Sequence, residues 1–262
     1  MKKRSFLIMM FIILSSLLFS CVEVTYESLN DKFETHLENN KDFYESYMES
    51  FNTLAHEHVL SSVRVIKSFQ RGGTSTSGSG FIYKEDETHY YVISNAHVVF
   101  DQFMDRAIYE IVDYQGKKYR AELLVFDHLF DLAVLKFEKN NTILPVASMA
   151  LKNASIGEQT SVIGFSDSQF NTITMGVLLD YSFVDIKNDR EDNIDFPVMI
   201  TNVPVRSGSS GSLVFNDDFK VIGVIFAASI YQNQTYATYA YAVPIEKVIE
   251  FLELYQESGV AL

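Results

Sequence analysis

Cysteine is nearly missing from this sequence. Cys21 is the single thiol in 262 residues, so no intramolecular disulfide can staple the fold. Positive charge is scarce as well: 21 Lys and Arg stand against 34 Asp and Glu, a formal net charge of −13. That balance excludes nucleic acid, or an anionic bilayer, as a partner held by surface charge, and reads instead as solubility. Histidine runs out early, with six in all and none after His128. No internal repeat or low-complexity tract stands out. The Gly/Ser/Thr-rich run 74–80 has no Gly-Lys-Ser/Thr after it, so it reads as a loop and not as a phosphate cradle. The apolar stretch between Ser5 and Ser20 is short for a membrane span and contains Ser15 and Ser16.

That stretch follows Met1-Lys2-Lys3-Arg4 and ends on Leu18-Phe19-Ser20-Cys21. A positive start, an apolar centre and a small residue before the cysteine make residues 1–20 an export signal. The tetrad also resembles a bacterial lipobox, which implies lipidation of Cys21 and a chain anchored at the bacterial cell membrane, facing away from the cytoplasm. Each buried methylene is worth about 0.8 kcal/mol, so several acyl chains on one cysteine hold a protein at a bilayer. Removing residues 1–20 leaves 18 basic against 34 acidic residues.

Residues 21–58 are polar, with Tyr26, Leu29, Phe33, Leu37, Phe43, Tyr47 and Phe51 spaced as on one or two helices with an aromatic stripe. They read as a tether that docks on the rest of the protein; the alternative is an oligomerisation element, and so a homo-oligomer. His56-Glu57-His58 reads as a solvated helix end, because two ligands one residue apart without a third make no metal site.

After Val63-Arg64-Val65-Ile66, β-rich runs alternate with turn clusters about every ten residues, the rhythm of an all-β sandwich or barrel. The runs are 81–83, 89–93, 108–114, 118–126 and 132–137, then 161–164, 173–184, 198–200, 213–215, 221–227 and 239–243. Pro244 opens a last helix with Ile245, Val248, Ile249, Leu252 and Tyr255 on one face.

One turn concentrates the chemistry: Arg206-Ser207-Gly208-Ser209-Ser210-Gly211-Ser212, followed at once by Leu213-Val214-Phe215. Glycines on both sides of a serine ahead of a strand let the chain bend so that two N–H groups aim at one point. A hydroxyl is a weak nucleophile until a base takes its proton, so a histidine and a group to orient it must come from elsewhere. With no histidine after His128, the order Ser, acid, His is impossible for a nucleophile at Ser210, which excludes an α/β-hydrolase. The order His, Asp, Ser is open. Ser94-Asn95-Ala96-His97-Val98-Val99 follows the β-rich run Tyr90-Tyr91-Val92-Ile93, and Asp131 heads the run Leu132-Ala133-Val134-Leu135, with Asp127 placed to cap the turn before it.

These three motifs, in this order and spacing, resemble those of the chymotrypsin-fold serine proteases, and most closely the bacterial HtrA (Deg) branch, over roughly residues 60–256. The resemblance implies two Greek-key antiparallel β-barrels in a protease domain over 59–262, with a crossover near 138–155, a helical N-terminal segment and a C-terminal helix. By motif position His97 is the general base, Asp131 holds its tautomer, Ser210 attacks, and the N–H groups of Gly208 and Ser210 form the oxyanion hole. Ser209 stands where trypsin-like zymogens carry an aspartate that pairs with a freed amine, so that activation switch is absent. Pro204, Val205, Arg206, Ile225 and Phe226 fall where the primary pocket is lined. No acid sits there to favour basic side chains; a small apolar pocket is the first expectation, and Arg206 leaves acidic side chains open.

The function implied is a serine endopeptidase acting on misfolded or exported proteins outside the cytoplasm, without metal or other cofactor. A PDZ domain, which follows a similar helix in HtrA proteins, has no counterpart before Leu262. The alternatives are a non-catalytic binding or chaperone module that keeps the protease fold, and an esterase using the same residues.

Overall fold

The computed structural model describes residues 26–69, 75–100, 107–166, 171–184, 194–229, 237, 239–260 and 262. The export signal and Cys21 lie outside the described residues. Two units divide the chain, 1–49 and 50–262. The first holds α1 (Tyr26–Asn39) and most of α2 (Lys41–His56), the two helices that the aromatic spacing predicts. Leu29, Phe33 and Phe43 of that stripe are exposed, and Phe43 stacks on Tyr47 one turn later at 6.3 Å. Among the described residues no helix is long and apolar enough to cross a membrane.

The second unit is two closed antiparallel barrels. Strands β1 (Ser62–Phe69), β2 (Thr76–Glu85), β3 (His89–Ser94), β4 (Ala107–Val112), β5 (Lys118–Asp127) and β6 (Leu132–Glu138) close the first in the spatial order 1-2-3-6-5-4. Strands β7 (Gln159–Gly164), β8 (Thr172–Ser182), β9 (Val198–Thr201), β10 (Leu213–Phe215), β11 (Val221–Ser229) and β12 (Tyr239–Pro244) close the second in the order 7-8-9-12-11-10. The two orders are the same, a repeat of topology where the sequence shows no repeat of residues. Register shifts at Ile82/Lys84, Leu123/Val125, Leu178/Asp180 and Ile225/Ala227 supply the bulges that let strands turn the corners of a barrel.

The apolar runs are continuous because many strands are buried on both faces. In β3, Tyr90 and Val92 fill the inside of the first barrel, while Tyr91 and Ile93 face a second core shared with the other barrel. In β6 the alternation is Ala133 and Leu135 inward, Leu132 and Val134 outward. That shared core also takes Leu213, Phe215, Val224 and Val243 from the second barrel and Ile245, Val248 and Phe251 from α4 (Ile245–Glu257). Burying the outer face of β3 and β6 is thus the same event as docking the barrels. The crossover between β6 and β7 reinforces it, donating Ala147 N–H to Ile82 O at 2.8 Å and Ala150 N–H to Val221 O at 2.9 Å.

Three sequence expectations need correction. Residues 76–80, expected as loop, are strand: a Cβ on Gly78 would lie 2.7 Å from Val98 Cγ2, and one on Gly80 2.8 Å from Ile93 O, so these glycines mark close packing and not a turn. His58 is no solvated helix end; its ring stacks on Phe219 at 4.9 Å and lies 5.1 Å from Phe215, and burial lowers its pKa. Pro244 ends β12 with an extended ψ of 154°, and the helix begins one residue later, adding Phe251 to the buried face.

Candidate active site

Antiparallel pairing of β3 with β6 builds one half of the site. Ser94, the last residue of β3, lies opposite Ala133, the second residue of β6, so the segment leaving one strand meets the segment arriving at the other. The first carries His97 in the short helix α3 (Ala96–Val99); the second carries Asp131. Asp131 has a φ of +49°, a left-handed conformation that aspartate tolerates better than most residues. Its N–H donates to His128 O at 3.3 Å, and its own carbonyl accepts Asn95 Nδ2 at 2.8 Å. Both carboxylate oxygens then turn to His97: Oδ1 accepts the His97 backbone N–H at 3.0 Å and Oδ2 contacts His97 Nδ1 at 2.7 Å. A carboxylate can only accept, so Nδ1 carries a proton, and in the neutral imidazole Nε2 keeps its lone pair. Asp131 keeps 12% of its side-chain surface exposed and His97 44%, so the acid is shielded while the imidazole reaches solvent.

The other half is the turn before β10. Ser209 N–H donates to Arg206 O at 3.1 Å, and Ser212 N–H to Ser209 O at 2.9 Å. Gly208 O accepts the Ser79 hydroxyl at 2.8 Å. Ser210 O accepts Ser79 N–H at 2.7 Å, and Gly211 N–H donates to Ile225 O at 2.8 Å. Among the described residues, the N–H groups of Ser207, Gly208 and Ser210 find no acceptor. Gly208 and Gly211 sit at φ of +89° and +87°, and a Cβ on Gly211 would fall 1.9 Å from Ser79 O, so only glycine fits there.

Ser79 therefore joins the halves. Fully buried at the start of β2, it reaches into the Ser210 turn through its N–H and its hydroxyl, while the hydroxyl also accepts Phe165 N–H at 2.8 Å and its carbonyl accepts Ser94 Oγ at 2.7 Å. Its neighbour Gly78 lies between Val98 and Ser210, since a Cβ there would sit 2.7 Å from the first and 2.9 Å from Ser210 O. Sequence reading named neither Ser79 nor Asn95 as part of the site. The signal for Ser79 was the flanking pair Gly78 and Gly80, whose missing side chains permit the approach.

The expected pocket residues divide. Val205 and Ile225 pack inside the second barrel and Phe226 in the shared core, whereas Pro204 and Arg206 are partly exposed.

Two barrels with this shared strand order make a chymotrypsin-like fold, the class of two-barrel serine proteases. The active form of the Rv3671c protease from M. tuberculosis superposes with a TM-score of 0.66 at 21% identity, covering 78% of this chain and 84% of that one. The family model for the trypsin-like peptidase domain matches residues 78–224, and the chain belongs to that family. Its relatives include the serine protease HTRA4 of Mus musculus, 30% identical over 211 residues that make up 77% of this chain and 40% of the relative. A probable periplasmic serine endoprotease, DegP-like, from Halomonas elongata is 29% identical over 70% of this chain and 35% of its own length. The chain thus spans about 35–40% of the length of these relatives.

Proposed function

We propose that the chain is a serine endopeptidase in which His97, Asp131 and Ser210 act as a triad. The reading rests on one observation above others: the two-point grip of Asp131 on His97, which leaves Nε2 as the free base. Nε2 takes the Ser210 proton as Oγ adds to a peptide carbonyl. Gly208 and Ser210 N–H groups, which find no acceptor among the described residues, stabilise the oxyanion. The imidazolium then protonates the leaving amine as the C–N bond breaks, an acyl-enzyme remains, and water releases it by the reverse sequence. The substrates are unfolded or exported proteins outside the cytoplasm, a side of the membrane that the periplasmic name of the DegP-like relative supports, and the chain is held to the bacterial membrane through lipid on Cys21, a reading that rests on the sequence before Cys21.

The test is made on the full chain in detergent beside a Ser210→Ala twin. Fluorophosphonate labelling and cleavage of reduced casein by the parent, and neither by the twin, are expected. Absence of both from the parent would leave a binding or chaperone module on the protease fold. Labelling with turnover of esters, but no casein cleavage, would point to the esterase. Location is tested separately: a Cys21→Ala chain should leave the membrane fraction.

A further inference from the structure

The Ser210 turn is held from the outside by a chain of hydroxyls that the triad does not use. Ser209, 3% exposed, turns its side chain to Ser166, in the loop that leaves β7 of the second barrel. Its Oγ accepts Arg206 N–H at 3.3 Å and lies 2.7 Å from Ser166 Oγ. Ser166 Oγ is 3.1 Å from Thr172 Oγ1, which donates to Gly164 O at 3.0 Å. Thr172 has one hydrogen, which it directs to both Ser166 Oγ and Gly164 O, while the short Ser166–Ser209 contact can run in either direction. The Ser166–Ser209 link resists rearrangement, because breaking it strands the part-buried hydroxyl of Ser209.

The same link closes a clasp. Ser209 N–H returns to Arg206 O at 3.1 Å, so backbone and side chain of Ser209 both bind Arg206. The peptide at the tip of that clasp, between Ser207 and Gly208, bears the Gly208 N–H, which finds no acceptor among the described residues. Ser166 belongs to the loop leaving β7, remote in sequence from the turn, and nothing else in this hydroxyl chain ties the clasp to the barrel wall.

We propose that Ser166 is a positioning residue for the oxyanion site, acting through Ser209 as an uncharged latch on the Arg206–Ser209 clasp. This rests on the serine endopeptidase reading above. The latch needs no ionisable group and works beside the anchor that Ser79 of the first barrel gives to Gly208 O.

The experiment compares the full chain with Ser166→Ala, Ser166→Thr, Ser209→Ala and the Ser166→Ala/Ser209→Ala pair. Fluorophosphonate inactivation reports the site directly: Ser210 Oγ bonds to phosphorus, fluoride leaves, and the phosphoryl oxygen must find the oxyanion donors. Removing a donor outright costs about 10²–10³-fold, so freeing its holder should cost about tenfold. The expected result is a tenfold lower maximal inactivation rate for Ser166→Ala and Ser209→Ala, with the reagent's half-saturating concentration unchanged. Ser166→Thr restores the rate, and the pair loses no more than either single change, because both cut one link. An unchanged rate in Ser166→Ala, even with a lowered melting temperature, overturns the latch, as does full additivity in the pair. A parent chain that does not label sinks the peptidase reading itself, and the latch with it.

Discussion

Tyr255 donates its phenolic O–H to Asp127 Oδ2 at 2.9 Å, tying the last helix to the turn that presents Asp131. The other oxygen of Asp127 accepts Leu129 N–H at 2.7 Å, the capping role its place before Asp131 suggests. Phe251 adds a ring contact with Phe130 at 5.8 Å, so two residues of α4 touch the segment just ahead of the acid. Tyr255→Phe should lower stability by about 1 kcal/mol, the usual worth of such a bond. It should also slow casein cleavage several-fold by loosening Asp131. A denaturant midpoint and a steady-state rate on the same preparation check both, and an unchanged rate would confine Tyr255 to stability.

Tyrosines make the fold sensitive to alkali. Burial raises Tyr119, Tyr181 and Tyr255 to about 12 each, and the hydrogen bond to Asp86 takes Tyr91 to about 12. Burial drives Tyr83 higher still. An unfolded tyrosine ionises near 10, so these phenols hold their protons longer in the folded chain. Their contribution is whole below about pH 10 and is lost as pH climbs toward 12. The urea midpoint should therefore fall steeply across that window; a flat midpoint would contradict it.

Gly164 and Ser212 compete for one space. Ser212 is fully buried, its hydroxyl has no hydrogen-bond partner among the described residues, and a Cβ on Gly164 would lie 1.8 Å from that oxygen. Ser212→Ala should be stabilising by about 1 kcal/mol, because it deletes an unsatisfied polar group. Gly164→Ala should be strongly destabilising, and Ser212→Gly in the same chain should recover part of the loss. Recovery stays partial because Ser79 Oγ is also only 2.8 Å from the new Cβ. Thermal unfolding of the four chains measures the coupling, and strict additivity would refute it.

Removing the Ser79 hydroxyl strips partners from two groups at once, Gly208 O and Phe165 N–H. Ser79→Ala should cost about 2 kcal/mol of stability, within the range for leaving buried polar groups unmatched. It should also slow fluorophosphonate labelling, since the Gly208 peptide loses its anchor. A chain as stable as the parent would show that both groups find other partners.

Asp131→Asn keeps the shape of the acid but offers an N–H₂ where His97 Nδ1 needs an acceptor. In the Ser-His-Asp template this exchange costs about 10⁴ in turnover through the wrong tautomer. A loss of that order in casein cleavage, with the melting temperature little changed, is expected. A loss under tenfold would remove Asp131 from the proposed triad.

The β-runs were legible because alternation and turn spacing are local properties, and the strand ends fall within a few residues of the runs. The first strand of the first barrel, Ser62–Phe69, was named only as the place where the pattern begins. The stretch 76–80 was misread for a physical reason: glycine is a turn former in isolation, but here it is what lets β2 approach Val98, Ile93 and the Ser210 turn. His58 was misread because nothing local to His56-Glu57-His58 announces Phe215 and Phe219, more than 150 residues away.

By itself the sequence determined the all-β class and singled out His97, Asp131 and Ser210, in that chain order, as the proposed triad, since each lies in a short motif next to an apolar run. The tertiary structure alone decided which of the segments around them touch. The pairing of Ser94 with Ala133 brings His97 to Asp131, and the burial of β3 and β6 against the second barrel brings Ser79 to Ser210. Those contacts join residues 34 to more than 130 apart in the chain, so they depend on which faces two barrels bury together, a property that no local pattern carries.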